Sequence, residues 1–139
     1  MLSFEYFVRE KKVKKKSVDK RLARSLVKSS KDRFDFAVKI MDKKPRYALE
    51  NAYEAVIELI DALLALKGYK SWSHEADIAF LKKFKEFSFV ELERLDNIRG
   101  KRHSSKYYGV FFEKREVKRE IAFLKGIDRK LRNIINKII

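Results

Sequence analysis

The sequence predicts an all-α protein, an up-and-down antiparallel bundle of five to six helices. Three observations point there. Only four glycines and one proline interrupt 139 residues, so there are few places where a helix must break. No stretch alternates apolar and polar residues as a half-buried strand does. Residues 46–67 are apolar around most of a helical circumference, which suits the centre of a bundle, and short connections between long helices favour antiparallel neighbours. At this length, with 45% hydrophobic residues, the chain is expected to form one domain, residues 1–139, with a short basic N-terminal segment at 1–17.

Taken in order, residues 3–10 read as a short leading helix. Lys11-Lys12-Val13-Lys14-Lys15-Lys16 then separates it from the rest, and such a block repels itself unless it is solvated or bound to an anion. Residues 19–41 carry Leu22, Leu26, Phe34, Ala37, Val38 and Met41 at mixed three- and four-residue steps, a second helix. Pro45 marks the break, because proline disfavours helix in the residue before it and suits the first turn of the next. The third helix, 46–67, is ended by Gly68. Its Glu50, Glu54, Glu58 and Asp61 form a narrow acidic stripe, expected as a solvated edge rather than a metal site because no histidine shares the face.

Ser73 is the expected N-cap of a fourth helix presenting Ile78, Leu81 and Phe84, with His74 a structural helix-start residue and Trp72 packed under the preceding loop. The fifth helix has a strong start signal. Ser88 with Glu91 three residues on is a capping box, and Phe87 and Leu92 are spaced for a hydrophobic staple. The last helix, 112–138, carries Val117, Ile121, Leu124, Ile127, Leu131, Ile134 and Ile138 at steps of three or four.

Composition limits the function. Thirty-five Lys and Arg against twenty Asp and Glu give a net charge of +15 and a pI near 10.0. That excess favours a polyanionic partner, with nucleic acid first, a membrane surface second and an acidic protein also compatible. The chain has no cysteine, which excludes disulfides, thiolate nucleophiles and Cys-based zinc sites. Two histidines do not make a His-rich metal site, so neither metal nor cofactor is expected. No apolar h-region follows the first charges and no apolar run approaches membrane length. The expectation is a cytoplasmic protein without a membrane partner.

One stretch departs from ordinary bundle patterning: Arg99-Gly100-Lys101-Arg102-His103-Ser104-Ser105-Lys106-Tyr107-Tyr108-Gly109. On the fifth helix Leu92 and Leu95 mark the core-facing side. At 100° per residue, that side next presents Arg99, then Arg102 and His103, then Lys106. The basic cluster therefore extends the buried stripe. Unpaired buried cations cost several kcal/mol each, so this end is expected to open into a cleft, an interface or a bound anion. The competing reading is a helix that leaves the core after Ile98, with its basic residues wet. Gly100 sits inside the helical pattern, where alanine is better by about 1 kcal/mol, as a glycine does where another backbone approaches closely.

Residues 47–84 followed by 92–109, with the basic N-terminal segment leading into an amphipathic helix, resemble the HEPN superfamily (higher eukaryotes and prokaryotes nucleotide-binding). The resemblance covers about four fifths of the chain, by the loose standard of pattern matching. It implies a small helical bundle that usually dimerises. It also implies a metal-independent endoribonuclease, often a toxin paired with a minimal nucleotidyltransferase antitoxin. The family signature is an arginine, commonly followed by a polar residue, then a histidine after four to six intervening residues. Carried over, Arg99 is the candidate arginine and His103 the candidate histidine. Here only Gly100, Lys101 and Arg102 intervene, and Gly100 stands where the polar follower is usual.

The pair suits RNA cleavage by 2′-OH attack. Histidine titrates in the right range for the proton transfers, and arginine is a permanent forked donor to phosphate. A four-residue step puts both on one helix face. A two-fold dimer with the fifth helices facing brings two copies together, consistent with Gly100 at a close approach. In the alternative class, a binding module, the same Arg99, Arg102, His103 and Lys106, with Lys101 beside them, hold RNA or a nucleotide phosphate without cleaving it while Tyr107 or Tyr108 stacks on a base. A third class is a protein-interaction subunit that docks an acidic partner.

Overall fold

A computed structural model describes the backbone of residues 1–108 and 113–139 and the side chains of residues 1–102 and 113–139. The described residues form six α-helices, one 3₁₀ turn (Leu81–Lys83) and one two-stranded ribbon. The helices are α1 (Phe4–Arg9), α2 (Lys20–Ile40), α3 (Pro45–Lys67), α4 (His74–Phe80), α5 (Phe89–Tyr108) and α6 (Lys114–Ile138), and the strands are β1 (Val13–Lys15) and β2 (Tyr69–Ser71). The expected all-α bundle is observed. No described helix is long and apolar enough to cross a membrane.

The local signals act where the sequence has them. Ser73 accepts from the Ala76 amide at 3.2 Å. Ser88 and Glu91 form the reciprocal box, with amide-to-side-chain distances of 2.9 and 3.1 Å. Pro45 opens α3, and Gly68 closes it in the left-handed region at φ 82°. Side-chain bonds give the helix directions. Ser30 reaches the Ala55 carbonyl and Arg33 reaches Glu58, while the Asp19 amide meets the Ala65 carbonyl, so α2 and α3 are antiparallel. Glu91 pairs with Lys130 and Lys101 with Glu116, so α5 and α6 are antiparallel as well.

Helix α3 is the axis of the core. Ala52, Val56, Leu59, Ile60 and Leu63 are completely enclosed, each large side chain contributing about 1.5–3 kcal/mol. Leu92, Leu95 and Ile98 of α5 and Val117, Leu124, Ile127 and Leu131 of α6 close over it.

Three sequence expectations are corrected. The lysine block is not only a separator: β1 pairs antiparallel with β2 in the register Val13↔Ser71, Lys14↔Lys70, Lys15↔Tyr69. Gly68 turns the chain back on itself at the end of α3, and its carbonyl takes the Lys16 amide at 2.8 Å. Two three-residue strands are too short to display a period of two in the sequence. The buried side of α2 is the expected one at Phe34 and Ala37, with Leu26 and Met41 packed against the core, but not at Leu22 and Val38. Ala23, Ser30, Phe34 and Ala37 are buried, whereas Leu22 and Val38 are exposed, because the helix docks small residues closely against α3. Trp72 does not pack under a loop. It is 61% exposed because it shares the outward side of the ribbon with Lys70, while Tyr69 takes the inward place against Phe4 at 5.2 Å.

The glycines differ in what they do. A Cβ on Gly68 would lie 2.9 Å from the Lys16 carbonyl oxygen, whereas one on Gly126 in α6 would meet nothing within 4 Å. Gly68→Ala is therefore expected to destabilise by at least about 1–2 kcal/mol, and Gly126→Ala to stabilise by about 0.5–1 kcal/mol. Urea unfolding midpoints of the two variants should move in opposite directions.

Candidate functional site

The geometric inference about α5 holds for its described side chains. Arg99 and Arg102 follow Leu95 and Ile98 on the core-facing side, with side chains 29% and 19% exposed. Their charges are satisfied within the domain rather than by an opening onto a cleft. Arg102 donates through Nη2 to Glu54 of α3 at 2.5 Å, and its guanidinium lies 5.5 Å from the centre of the Tyr53 ring. Arg99 donates through Nε to Asp96 at 2.8 Å and stands 3.8 Å from Glu75 of α4. Lys101 points to the other side and is held by Glu116 at 2.7 Å and Glu120 at 3.3 Å.

The acidic stripe of α3 supplies part of this pairing and is not a solvated edge. Glu54 holds Arg102. Glu58 takes Arg33 at 2.7 Å and the Ser29 hydroxyl at 2.6 Å. Asp61 is largely buried beside Asp77 of α4. A helix at the centre of a bundle has a neighbour on every side, so its polar stripe meets protein instead of water.

Behind the arginines lies a polar group that the sequence alone does not reveal. The Tyr53 hydroxyl and His74 Nδ1 are 3.1 Å apart. Tyr53 is completely buried, and that burial, with Glu54 beside it, raises its pKa. Burial lowers the pKa of His74, with Arg102 and Arg99 acting in the same direction against Glu54 and Asp61. Burial and the Asp61 charge push the Asp77 carboxyl well above the usual range, with Lys70 acting against them. In the sequence Asp61 belongs to the acidic stripe and His74 to a helix start, and neither signal brings the two together.

The two arginines differ in availability. Asp96 and Glu75 are 37% and 52% exposed. Such partners contribute about 0–1 kcal/mol each, so an incoming phosphate can replace them. Glu54 is only 26% exposed, and removing Arg102 strands its charge at the edge of the core. Arg99 is the exchangeable cation; Arg102 is the fixed one. The candidate residues His103, Lys106 and Tyr107 have side chains outside the described residues, although α5 is helical through Tyr108.

No protein-family model matches the chain, and no curated protein matches it.

Arg102→Ala is expected to lower stability by about 1–3 kcal/mol, and Arg99→Ala by less than about 1 kcal/mol. The pH dependence isolates His74. Its folded pKa lies below the value of about 6.5 that the unfolded chain keeps, so its contribution is present above that pH and lost as pH falls toward the folded value. Asp61 and Asp77 act with the opposite sign, since their raised values favour the folded state at low pH. Subtracting the urea midpoints of His74→Gln from those of wild type, between about pH 5 and 7.5, should leave a difference that shrinks as pH falls.

Proposed function

We propose that the protein is an RNA-binding helical bundle of HEPN type, in which Arg99 and His103 act on one phosphodiester as a metal-independent ribonuclease pair. The observation that carries this reading is Arg99 itself. It is half-buried on the core-facing side of α5 and paired only with exchangeable carboxylates, one turn before position 103 in a helix that continues to Tyr108. In the proposed reaction His103 takes the 2′-OH proton and returns a proton to the leaving 5′ oxygen. Arg99 releases Asp96 and Glu75 and neutralises the charge that builds on the phosphorane oxygens. Arg102, tied to Glu54, positions the helix and adds positive potential. Lys106 takes a neighbouring phosphate and Tyr107 a base, while Lys101, held by Glu116 and Glu120, contributes through its field.

A homodimer with α5 facing α5 accompanies this reading. A Cβ at Gly100 meets nothing within 4 Å in the described chain, which leaves room for a second backbone. A minimal nucleotidyltransferase is the partner that a toxin-type role implies. The second reading, a non-catalytic nucleic-acid-binding or protein-interaction module, is favoured by a different observation: Arg99, Lys101 and Arg102 all already have carboxylate partners.

Purified protein is expected to cleave single-stranded RNA in the presence of EDTA. His103→Ala should lower the rate at least about a hundredfold with affinity nearly unchanged, and Arg99→Ala should lower both rate and affinity. Varied RNAs left intact at high protein concentration would move the assignment to the binding module. Affinity should weaken with salt by roughly 0.7 in the log–log slope for each single-strand phosphate contacted. Sedimentation equilibrium should give twice the 16.6 kDa chain mass; a monomer at micromolar concentration rejects the facing arrangement.

A further inference from the structure

Among the described residues, one group of cations without carboxylate partners lies on the β1–β2 ribbon. Side chains alternate across a strand, and Val13 is buried, so Lys12, Lys14 and Lys16 share the outward side of β1 and its flanks. The register sets Lys70 directly opposite Lys14. The Trp72 amide donates to the Lys12 carbonyl at 2.9 Å, carrying the pairing one step further and bringing the indole to the same side. Four lysines and one tryptophan thus occupy one side of a two-stranded ribbon.

Among the described residues none of these lysines lies within ion-pair distance of a carboxylate. Lys14 opposite Lys70 is a like-charge cross-strand pair, which destabilises a ribbon and is relieved by an anion between them. The block also holds Lys11 at φ 60°, where glycine is cheaper by about 1–2 kcal/mol. Trp72 keeps 61% of its surface exposed, with Lys70 Nζ 6.0 Å from its ring centre.

Beside the indole is an open cavity of about 510 Å³, whose lining includes Tyr6, Phe7, Lys12, Trp72, Glu10 and Glu75. Its aromatic walls suit a flat ring, and its two carboxylates repel a phosphate. Glu75 also stands 3.8 Å from Arg99, so the cavity adjoins the α5 site through α4.

We propose that this ribbon is a binding site for single-stranded nucleic acid, with phosphates along Lys12, Lys14 and Lys70 and a base stacked on Trp72 over the cavity. Glu10 and Glu75 accept from an exocyclic amino group such as cytosine N4. The alternation of phosphate and base along a strand matches the alternation of lysines and aromatic cavity. A lipid surface suits it less, because the outward side offers one indole among lysines rather than an apolar patch to insert. The site deepens the RNA-binding reading by giving the strand a docking track, but it requires no cleavage at α5.

Trp72 is the only tryptophan, so its fluorescence reports on the site directly. The probe is a short 2′-O-methyl oligocytidylate, which lacks the nucleophilic hydroxyl and stays intact whatever α5 does. Saturable quenching of Trp72 that weakens with salt is expected. By anisotropy of the same labelled oligonucleotide, Trp72→Ala should lose between about fivefold and a hundredfold in affinity. Lys14→Gln/Lys70→Gln should lose about tenfold or more, while its urea midpoint stays level or rises as the cross-strand repulsion is removed. Binding by anisotropy without quenching, or affinity unchanged in either variant, overturns the site. A blue shift of Trp72 on phosphatidylserine vesicles with no response to the oligonucleotide overturns it in favour of a lipid surface. Failure of cleavage with Trp72 quenching intact rejects the ribonuclease reading and leaves the ribbon standing; cleavage without quenching does the reverse.

Discussion

Helix α3 has neighbours on nearly every side, yet it carries Glu54, Glu58 and Asp61, and each of those carboxyls must be matched from another helix. A buried unpaired charge costs several kcal/mol, so the matching is compulsory once the apolar residues of α3 have set the core. Arg33 from α2 answers Glu58, and Arg102 from α5 answers Glu54. Asp61 makes no ion pair among the described residues; it lies beside Asp77, whose carboxyl is pushed well above the usual range by burial and the Asp61 charge, with Lys70 acting the other way. This requirement fixes the rotation of α5 as firmly as Leu92, Leu95 and Ile98 do. It turns the arginine side of α5 inward, toward Tyr53 and His74.

What was legible followed from local rules. Ser73, Ser88 with Glu91, Pro45 and Gly68 each act within a few residues of their own position, so the element boundaries could be read directly. The stripe on α6 and the enclosure of α3 were equally plain, because a period of three or four persists over many turns. The long-range partners were not. Nothing near Glu54 announces an arginine forty-eight positions later, and the rule that buried cations need relief does not say whether a carboxylate or a cleft provides it. The ribbon escaped notice because its strands have three residues each and its outward side reads as a lysine run. The exposed Leu22 and Val38 mark the same difficulty on α2. Apolar spacing there fits more than one rotation, and the close approach of Ala23, Ser30 and Ala37 to α3 decides between them.

Charge then divides the molecule into two kinds of surface. On α5, carboxylates from α3, α4, α6 and α5 itself offset each described cation, so a ligand there must win by exchange. That favours a phosphate held in good geometry, as a guanidinium fork provides, and it disfavours indiscriminate attraction. On the ribbon, Lys12, Lys14, Lys16 and Lys70 make no ion pair among the described residues, and their mutual repulsion falls when a polyanion arrives. Such a surface captures quickly and with little selectivity, and its strength declines with salt. In the proposed reading, capture and selection fall to different residues. Glu75, at the wall of the Trp72 cavity and beside Arg99, belongs to both surfaces. Its carboxylate cannot serve a base and Arg99 equally at once, so a base that engages it weakens its hold on the exchangeable arginine. In the proposed reading, binding of the strand at the ribbon supplies part of the free energy for releasing Arg99.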